Sequence, residues 1–224
     1  MQLRLSIFFI ILVVIEVGCT SQPKIDKDQL VTEVCKELQV NRGNEDDSVK
    51  WLRVYQSHLQ PYLNDLPEDS SLALYDYVTI RLQRECVVFR KIARAFNTKK
   101  GNSDWQDTDI EPESEINTED YQMFFKIGRF KYLETNGDTA LVNLTDSTWE
   151  DRFIDGTYSR LSLEKLRTTE FVITFIESNN NVRMNFSKPG DQYRYKILER
   201  HNNYFSMYVQ PVKSKVKSLF KLYY

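Results

Sequence analysis

The feature that most constrains the fold is a change in the spacing of apolar side chains near the middle of this 224-residue chain. Before residue 97, apolar residues recur every three or four positions, which places them on one face of an α-helix. After residue 119 they alternate with polar residues, as in antiparallel strands that bury one face. The sequence therefore predicts an α+β protein, with a small N-terminal helical unit followed by a C-terminal antiparallel β meander.

Residues 25–96 contain three helical patterns, so we expect about three helices. Asp47 or Ser48 can cap the second, and Pro61 should interrupt it because proline has no amide hydrogen to donate. The third places Cys86 on its apolar stripe. Short amphipathic helices bury their apolar faces only against one another, which predicts a compact antiparallel unit.

Residues 97–119 fit neither pattern. They contain seven acidic side chains and two lysines, a composition typical of a solvated linker. The alternative is an acidic recognition segment. Trp105 is the residue that a pure spacer would not need, and we expect it to dock on a neighbouring domain.

The pattern over residues 120–224 predicts seven or eight strands, separated by turn sequences such as Asn136-Gly137 and Asp155-Gly156. The pattern shows no helix long enough to connect parallel strands. Successive hairpins imply a meander that either closes as a small barrel or folds over as a sandwich.

This β domain is rich in aromatic residues, which could line a pocket for an apolar or sugar-like ligand or could simply form an ordinary core. They are Phe124, Phe125, Phe130, Tyr132, Tyr158, Phe171, Phe175, Tyr193, Tyr195, Tyr204, Phe205, Tyr208, Phe220, Tyr223 and Tyr224.

The first residues have the anatomy of an export signal. Arg4 precedes the apolar run Ile7–Ile15, which ends at Glu16. A helix needs about 20 apolar residues to cross a bilayer, so this run is too short to remain as an anchor and we expect it to be cleaved.

The sequence Glu16-Val17-Gly18-Cys19 resembles the lipobox of bacterial lipoproteins. The resemblance implies a signal peptide over residues 1–18, a lipid on Cys19 that anchors the chain to a membrane, and a tether over residues 19–24. It also implies a cell-envelope location, with the outer membrane favoured because no Asp follows the cysteine. The alternative is cleavage after Ser21, which would give a soluble secreted or periplasmic protein.

Lipidation of Cys19 would leave Cys35 and Cys86 as a pair. In an oxidising compartment they could form a disulfide that closes a loop of about 50 residues, worth on the order of 4 kcal/mol. The alternative is two buried free thiols.

The segment Lys126–Tyr132 contains Gly128 followed by two aromatic residues and resembles the first strand of lipocalin-like barrels. The resemblance implies that a ligand is carried in the mouth of a barrel.

No motif predicts a particular reaction. The chain has two histidines, His58 and His201, in different predicted domains, so we predict no catalytic residue, cofactor or metal ligand. Residues 120–224 carry 16 basic and 12 acidic side chains, too small an excess to indicate nucleic acid. The leading hypothesis is a non-enzymatic envelope module that binds a protein or glycan. The alternatives are a carrier or sensor of a small apolar ligand, and a hydrolase of envelope polymer that uses two converging carboxylates.

Overall fold

The computed structural model describes residues 25–43, 45–96, 104–166 and 169–224. The predicted signal peptide, residues 1–18, and the predicted tether, residues 19–24 with Cys19, lie outside these ranges. None of the helices within the described ranges combines the length and the apolar character needed to cross a bilayer.

The helical unit consists of short helices joined by tight connections. They are α1 (Lys27–Gln39), α2 (Asp47–Val54), a π-helical turn (Tyr55–Leu59), α3 (Gln60–Asn64), α4 (Glu68–Glu85) and α5 (Val87–Phe96). Asp46, one residue before the predicted cap positions, caps α2 by accepting from the amide of Ser48. Apolar side chains from these helices form one buried cluster, which confirms the predicted packing of helices against one another.

Pro61 interrupts the second helical pattern, as expected. It cannot donate a hydrogen bond to the carbonyl four residues back, and the chain widens into the π-helical turn just before it. The amide of Gln60 donates to the carbonyl of Tyr55, five residues back. The turn thus restores helical bonding around the proline.

The third predicted helix is divided in two at Cys86. This residue has an extended backbone, with φ −118° and ψ 103°, between α4 and α5. Its side chain is fully buried and forms a disulfide with Cys35 of α1, with a Cα–Cα distance of 5.6 Å. The predicted bridge is therefore present, and it ties α1 to the junction of α4 and α5.

The C-terminal region is a closed barrel. The strands are β1 (Gln106–Asp107), β2 (Arg129–Leu133), β3 (Thr139–Leu144), β4 (Thr148–Arg152), β5 (Tyr158–Lys165), β6 (Glu170–Ser178), β7 (Gln192–Arg200), β8 (Tyr204–Pro211) and β9 (Ser218–Tyr223). From β2 to β9 each strand pairs antiparallel with the next, and β9 closes the barrel on β2. The α+β class and the eight-stranded meander are confirmed, and the meander is a barrel rather than a sandwich.

One segment of the β prediction is wrong. The sequence predicts strands from residue 120 onward and a first strand over Lys126–Tyr132, but residues Thr118–Ile127 form a helix, α6. Asn117 caps its start, and Gly128 ends it with a left-handed φ of +67°. Gly128 is thus a helix-terminating residue and not part of the first strand, because few residues other than glycine adopt this conformation readily.

Helix α6 closes one end of the barrel. Phe124 on this helix is fully buried, and its ring centroid lies 4.8 Å from that of Phe130 and 5.2 Å from that of Phe205. Phe171 belongs to the same cluster. Packed aromatic rings therefore occupy this end of the barrel.

In its described residues, the acidic segment is not the free linker that its composition predicts. Residues 104–117 of this segment pack against the barrel, and we call them the strap. Within the strap, β1 pairs with β9, and the hydroxyl of Ser114 donates to the carbonyl of Ile197 at 2.7 Å. Trp105 stacks on Phe220 at 4.6 Å, so it docks on the β domain as expected.

Charge fixes the strap to the outer face of β7. Glu111 pairs with Arg194 and, at 2.5 Å, with Lys196. Its hydrogen bond from Arg194 holds the pKa of Glu111 at about 2, against the opposing effect of burial. The acidic residue that suggested solvation is thus bound to cations that are remote in sequence.

Candidate functional site

A cavity of about 120 Å³ lies inside the barrel, at the end opposite α6. The barrel strands contribute the ends that lead into the β2–β3, β4–β5, β6–β7 and β8–β9 connections. A short helix in the β6–β7 connection, α7 (Asn181–Phe186), supplies Arg183 and Phe186, and α5 supplies Arg90. The barrel therefore forms the walls of the cavity, while α7 and the helical unit partly cover it.

Some of the aromatic residues named from the sequence line this cavity and others do not. Those that do are Tyr132, Phe175, Tyr193, Tyr195 and Phe220. Those that pack at the α6 end are Phe124, Phe125, Phe130, Phe171 and Phe205. The remaining ones, Tyr158, Tyr204, Tyr208, Tyr223 and Tyr224, lie outside both groups. Five of the fifteen aromatic residues thus line the cavity, and these five also pack in the core of the barrel.

Two tryptophans that the sequence analysis did not assign to a pocket complete the aromatic wall. The rings of Trp105 and Phe220 are stacked, and Tyr195 lies 5.9 Å from Phe220 and 5.5 Å from Trp149 between centroids. The wall is therefore continuous from the strap across β9 and β7 to β4.

Asp151 is the central polar group of the cavity. It lies on β4, its side chain faces inward, and only 7% of the residue is exposed. The indole nitrogen of Trp149 donates to its Oδ1 at 2.9 Å. Burial raises the pKa of Asp151 to about 6, although the positive charge of Arg183 and the bond from Trp149 act in the opposite direction. The carboxyl thus changes its charge near neutral pH.

Arg183 lies beside this carboxyl but is held by other groups. It pairs with Glu134 and donates from Nη2 to the hydroxyl of Tyr132 at 3.2 Å. Burial disfavours its charge, but the surrounding oxygen atoms of Tyr132, Glu134 and Asp151 outweigh burial and raise the pKa of Arg183. The guanidinium therefore remains charged and fixed at the edge of the cavity.

The hydroxyl of Tyr193 connects the cavity to the helical unit. It hydrogen-bonds the hydroxyl of Ser187 at 2.5 Å and accepts from Nε of Arg84, on α4, at 3.1 Å. Arg81, one turn earlier, donates to Asp191 at 2.8 Å. Two buried arginines of α4 thus hold the helical unit against the β6–β7 connection.

Arg90 of α5 has a similar role on the other side of the cavity. Its Nε lies 2.7 Å from Oδ1 of Asp107 in β1, and its Nη2 donates to the hydroxyl of Ser218 at 2.8 Å. The cavity cover is therefore joined to the barrel by hydrogen-bonded arginines at both edges.

The two histidines are not brought together. His58 lies in the π-helical turn of the helical unit, and His201 lies in the β7–β8 turn, where its Nε2 is 3.0 Å from the hydroxyl of Ser206. Among the residues that the structure describes, no three His, Cys, Asp or Glu side chains cluster as metal ligands would. Cys35 and Cys86 lie in the helical unit and do not line the cavity.

The sequence contains a signal for Asp151. Alternation along β4 places Asp151 on the same face as Trp149, and an acid at a core position of a strand is uncommon without a functional or structural reason. Arg183 offered no comparable signal, because α7 has six residues and none of them is fully buried.

Comparison of the chain with protein-family models, with curated proteins and with solved structures finds no match. The geometry of the barrel is therefore the basis for assigning a function.

Proposed function

We propose that the protein binds a small molecule inside its β-barrel and that it does so at the bacterial cell envelope. The observation that carries the proposal is the cavity of about 120 Å³ among aromatic side chains, with one buried carboxyl. Protein interiors are close-packed, and a space with few polar groups on an aromatic wall is typical of a ligand site. Because a cavity of about 150 Å³ holds one benzene molecule, this slightly smaller cavity limits the enclosed part of the ligand to about one ring.

The same geometry favours binding over hydrolysis of envelope polymer. Asp151 is the one carboxyl among the residues that line the cavity, whereas cleavage of a glycosidic bond normally uses two carboxyls on opposite sides of the bond. A polymer would also need a long cleft, whereas α7 and α5 border the mouth of this small cavity.

Three features support the envelope location. Residues 1–18 have the pattern of an export signal, Cys19 follows a lipobox-like sequence, and Cys35 and Cys86 form a disulfide, which is typical of exported proteins. On this proposal a lipid on Cys19 anchors the chain, and residues 19–24 lead to the helical unit that covers the barrel.

Intact-mass analysis of protein purified from membranes tests the anchor. We expect a chain that begins at Cys19 and carries the mass of attached acyl groups. A chain that begins at Met1, or an unmodified soluble chain that begins after Ser21, would overturn this part of the proposal.

Calorimetric titration with three single-ring probes tests ligand binding. The probes are benzylammonium, benzyl alcohol and benzoate, which are similar in size and differ in charge. We expect at least one to bind the wild-type protein and to lose binding in Ile173→Trp, which fills the cavity from β6. Ile176→Trp is the matched control, because Ile176 lies on the same strand and is 43% exposed. If no probe binds, or if Ile173→Trp binds as well as the control, barrel binding is refuted.

A further inference from the structure

The charges around the cavity are unevenly balanced. Arg183 pairs with Glu134, and Arg90 pairs with Asp107, so both lining arginines already have a carboxylate partner. Among the ion pairs of the described residues, none includes Asp151, although its carboxyl is more than nine-tenths buried. The carboxyl accepts the hydrogen bond from Trp149 and lies near Arg183, but that guanidinium is paired with Glu134, so the ionised carboxylate is only partly compensated and a cation would compensate it further.

The aromatic wall favours the same sign of charge. The ring centroids of Trp149 and Tyr195 lie 5.5 Å apart, and the indole nitrogen of Trp149 donates a hydrogen bond to Asp151. The faces of indole and phenol rings carry negative potential and attract cations, most strongly where water is excluded. Anions, by contrast, would meet a buried carboxyl and two arginines that are already paired.

We propose that the ligand is a compact organic cation, with an ammonium, amidinium or imidazolium group that hydrogen-bonds Asp151 and a body about the size of one ring against Trp149 and Tyr195. This assignment rests on the proposed function, because it specifies the chemistry of the ligand in the same cavity. It predicts discrimination by charge among ligands of equal size.

Binding of such a cation is linked to protonation of the carboxyl. The charged or titratable groups that face Asp151 are Arg183 from α7, Tyr132 from β2, Glu134 just after it and Tyr195 from β7. The pKa of Asp151 lies near 6, whereas burial raises the pKa of Tyr195 far above neutrality. A cation binds the ionised carboxyl, so affinity is full above pH 6 and falls as the pH drops below it.

Titration of the three probes into the disulfide-bonded protein at pH 7.5 and pH 4.5 tests the assignment. At pH 7.5 we expect benzylammonium to bind about tenfold or more tightly than benzyl alcohol, with benzoate the weakest. At pH 4.5 benzylamine is still protonated, but its affinity should fall by up to about 30-fold because most of the Asp151 carboxyl is then protonated. In Asp151→Asn the preference should shrink to about twofold. Glu150→Gln, which removes an outward-facing carboxyl of the same strand, should keep the full preference.

Each outcome decides a different question. If benzyl alcohol binds as tightly as benzylammonium and both are lost in Ile173→Trp, the ligand class is refuted and barrel binding stands. If benzylammonium is preferred equally in Asp151→Asn, the role of Asp151 is refuted. If none of the three probes binds, both proposals fail. If Asp151→Asn does not fold, the pH dependence of the wild-type protein still decides, because an affinity that does not change between pH 7.5 and 4.5 contradicts the assignment.

Discussion

Replacement of Asp151 by asparagine should stabilise the ligand-free protein at neutral pH and leave its stability almost unchanged in acid. Asparagine has nearly the same shape, and its carbonyl can still accept the hydrogen bond from Trp149. The change therefore removes mainly the charge. A residue that is kept for ligand binding and not for stability should behave in this way.

The magnitude follows from the pKa of the carboxyl. In the folded protein the pKa of Asp151 is about 6, against an ordinary value of 3.8. Below pH 3.8 the carboxyl is protonated in both the folded and unfolded states and has no effect on stability. Between pH 3.8 and 6 the unfolded chain loses the proton first, so the free energy of unfolding decreases as the pH rises. Above pH 6 the full loss of about 3 kcal/mol is reached, which is an upper bound.

Urea unfolding followed by tryptophan fluorescence measures this effect at pH 4, 5, 6 and 7.5. Taking the difference in the free energy of unfolding between Asp151→Asn and the wild-type protein cancels the contributions of other titrating groups. We expect it to grow by about 1 to 3 kcal/mol in favour of the variant between pH 4 and pH 7.5. A difference that is constant with pH, or one that favours the wild-type protein more at pH 7.5, would show that Asp151 is not a poorly compensated buried carboxyl.

Three further variants test the fold. The double variant Cys35→Ala/Cys86→Ala, which opens a loop of 51-residue separation, should lose about 2 to 4 kcal/mol in urea unfolding, and an unchanged midpoint would contradict a structural disulfide. Glu111→Gln should cost about 1 kcal/mol at pH 7, because the carboxylate is partly exposed, and the cost should shrink as the pH falls from 4.5 towards 2 in a pH series of melting temperatures. Gly128→Ala should destabilise the protein by about 1 to 2 kcal/mol, since φ is +67° and the new Cβ would lie 3.2 Å from the carbonyl oxygen of Leu144; a neutral effect in thermal unfolding would refute this strain.

The spacing of apolar residues predicted most of the fold because a helix or a strand must bury one face. This rule located the helical unit and the strands, and it placed Cys86 in the core. It failed over residues 118–127, where the three aromatic residues Tyr121, Phe124 and Phe125 are too few for their spacing to distinguish a short helix from a strand. The cap Asn117 and the terminator Gly128 were the better signals there.

The strap could not be predicted for a different reason. Its acids look solvated when the segment is read alone, but Glu111 bonds to Arg194, which lies 83 residues later in the chain. Such pairing depends on the barrel being closed. The same is true of the cavity, because Asp151 and Arg183 come from elements that meet only when β4 and α7 are both in place. The sequence showed aromatic residues in excess but could not tell which end of the barrel they fill.

The central claim, that the barrel interior holds a small ligand, is tested most directly by NMR distance contacts from bound benzylammonium to isotope-labelled methyl groups. We expect contacts to Leu161, Ile173 and Val209, which line the cavity. Contacts confined to the exposed side chains of Ile110 and Ile154, with none to the three lining residues, would contradict the claim.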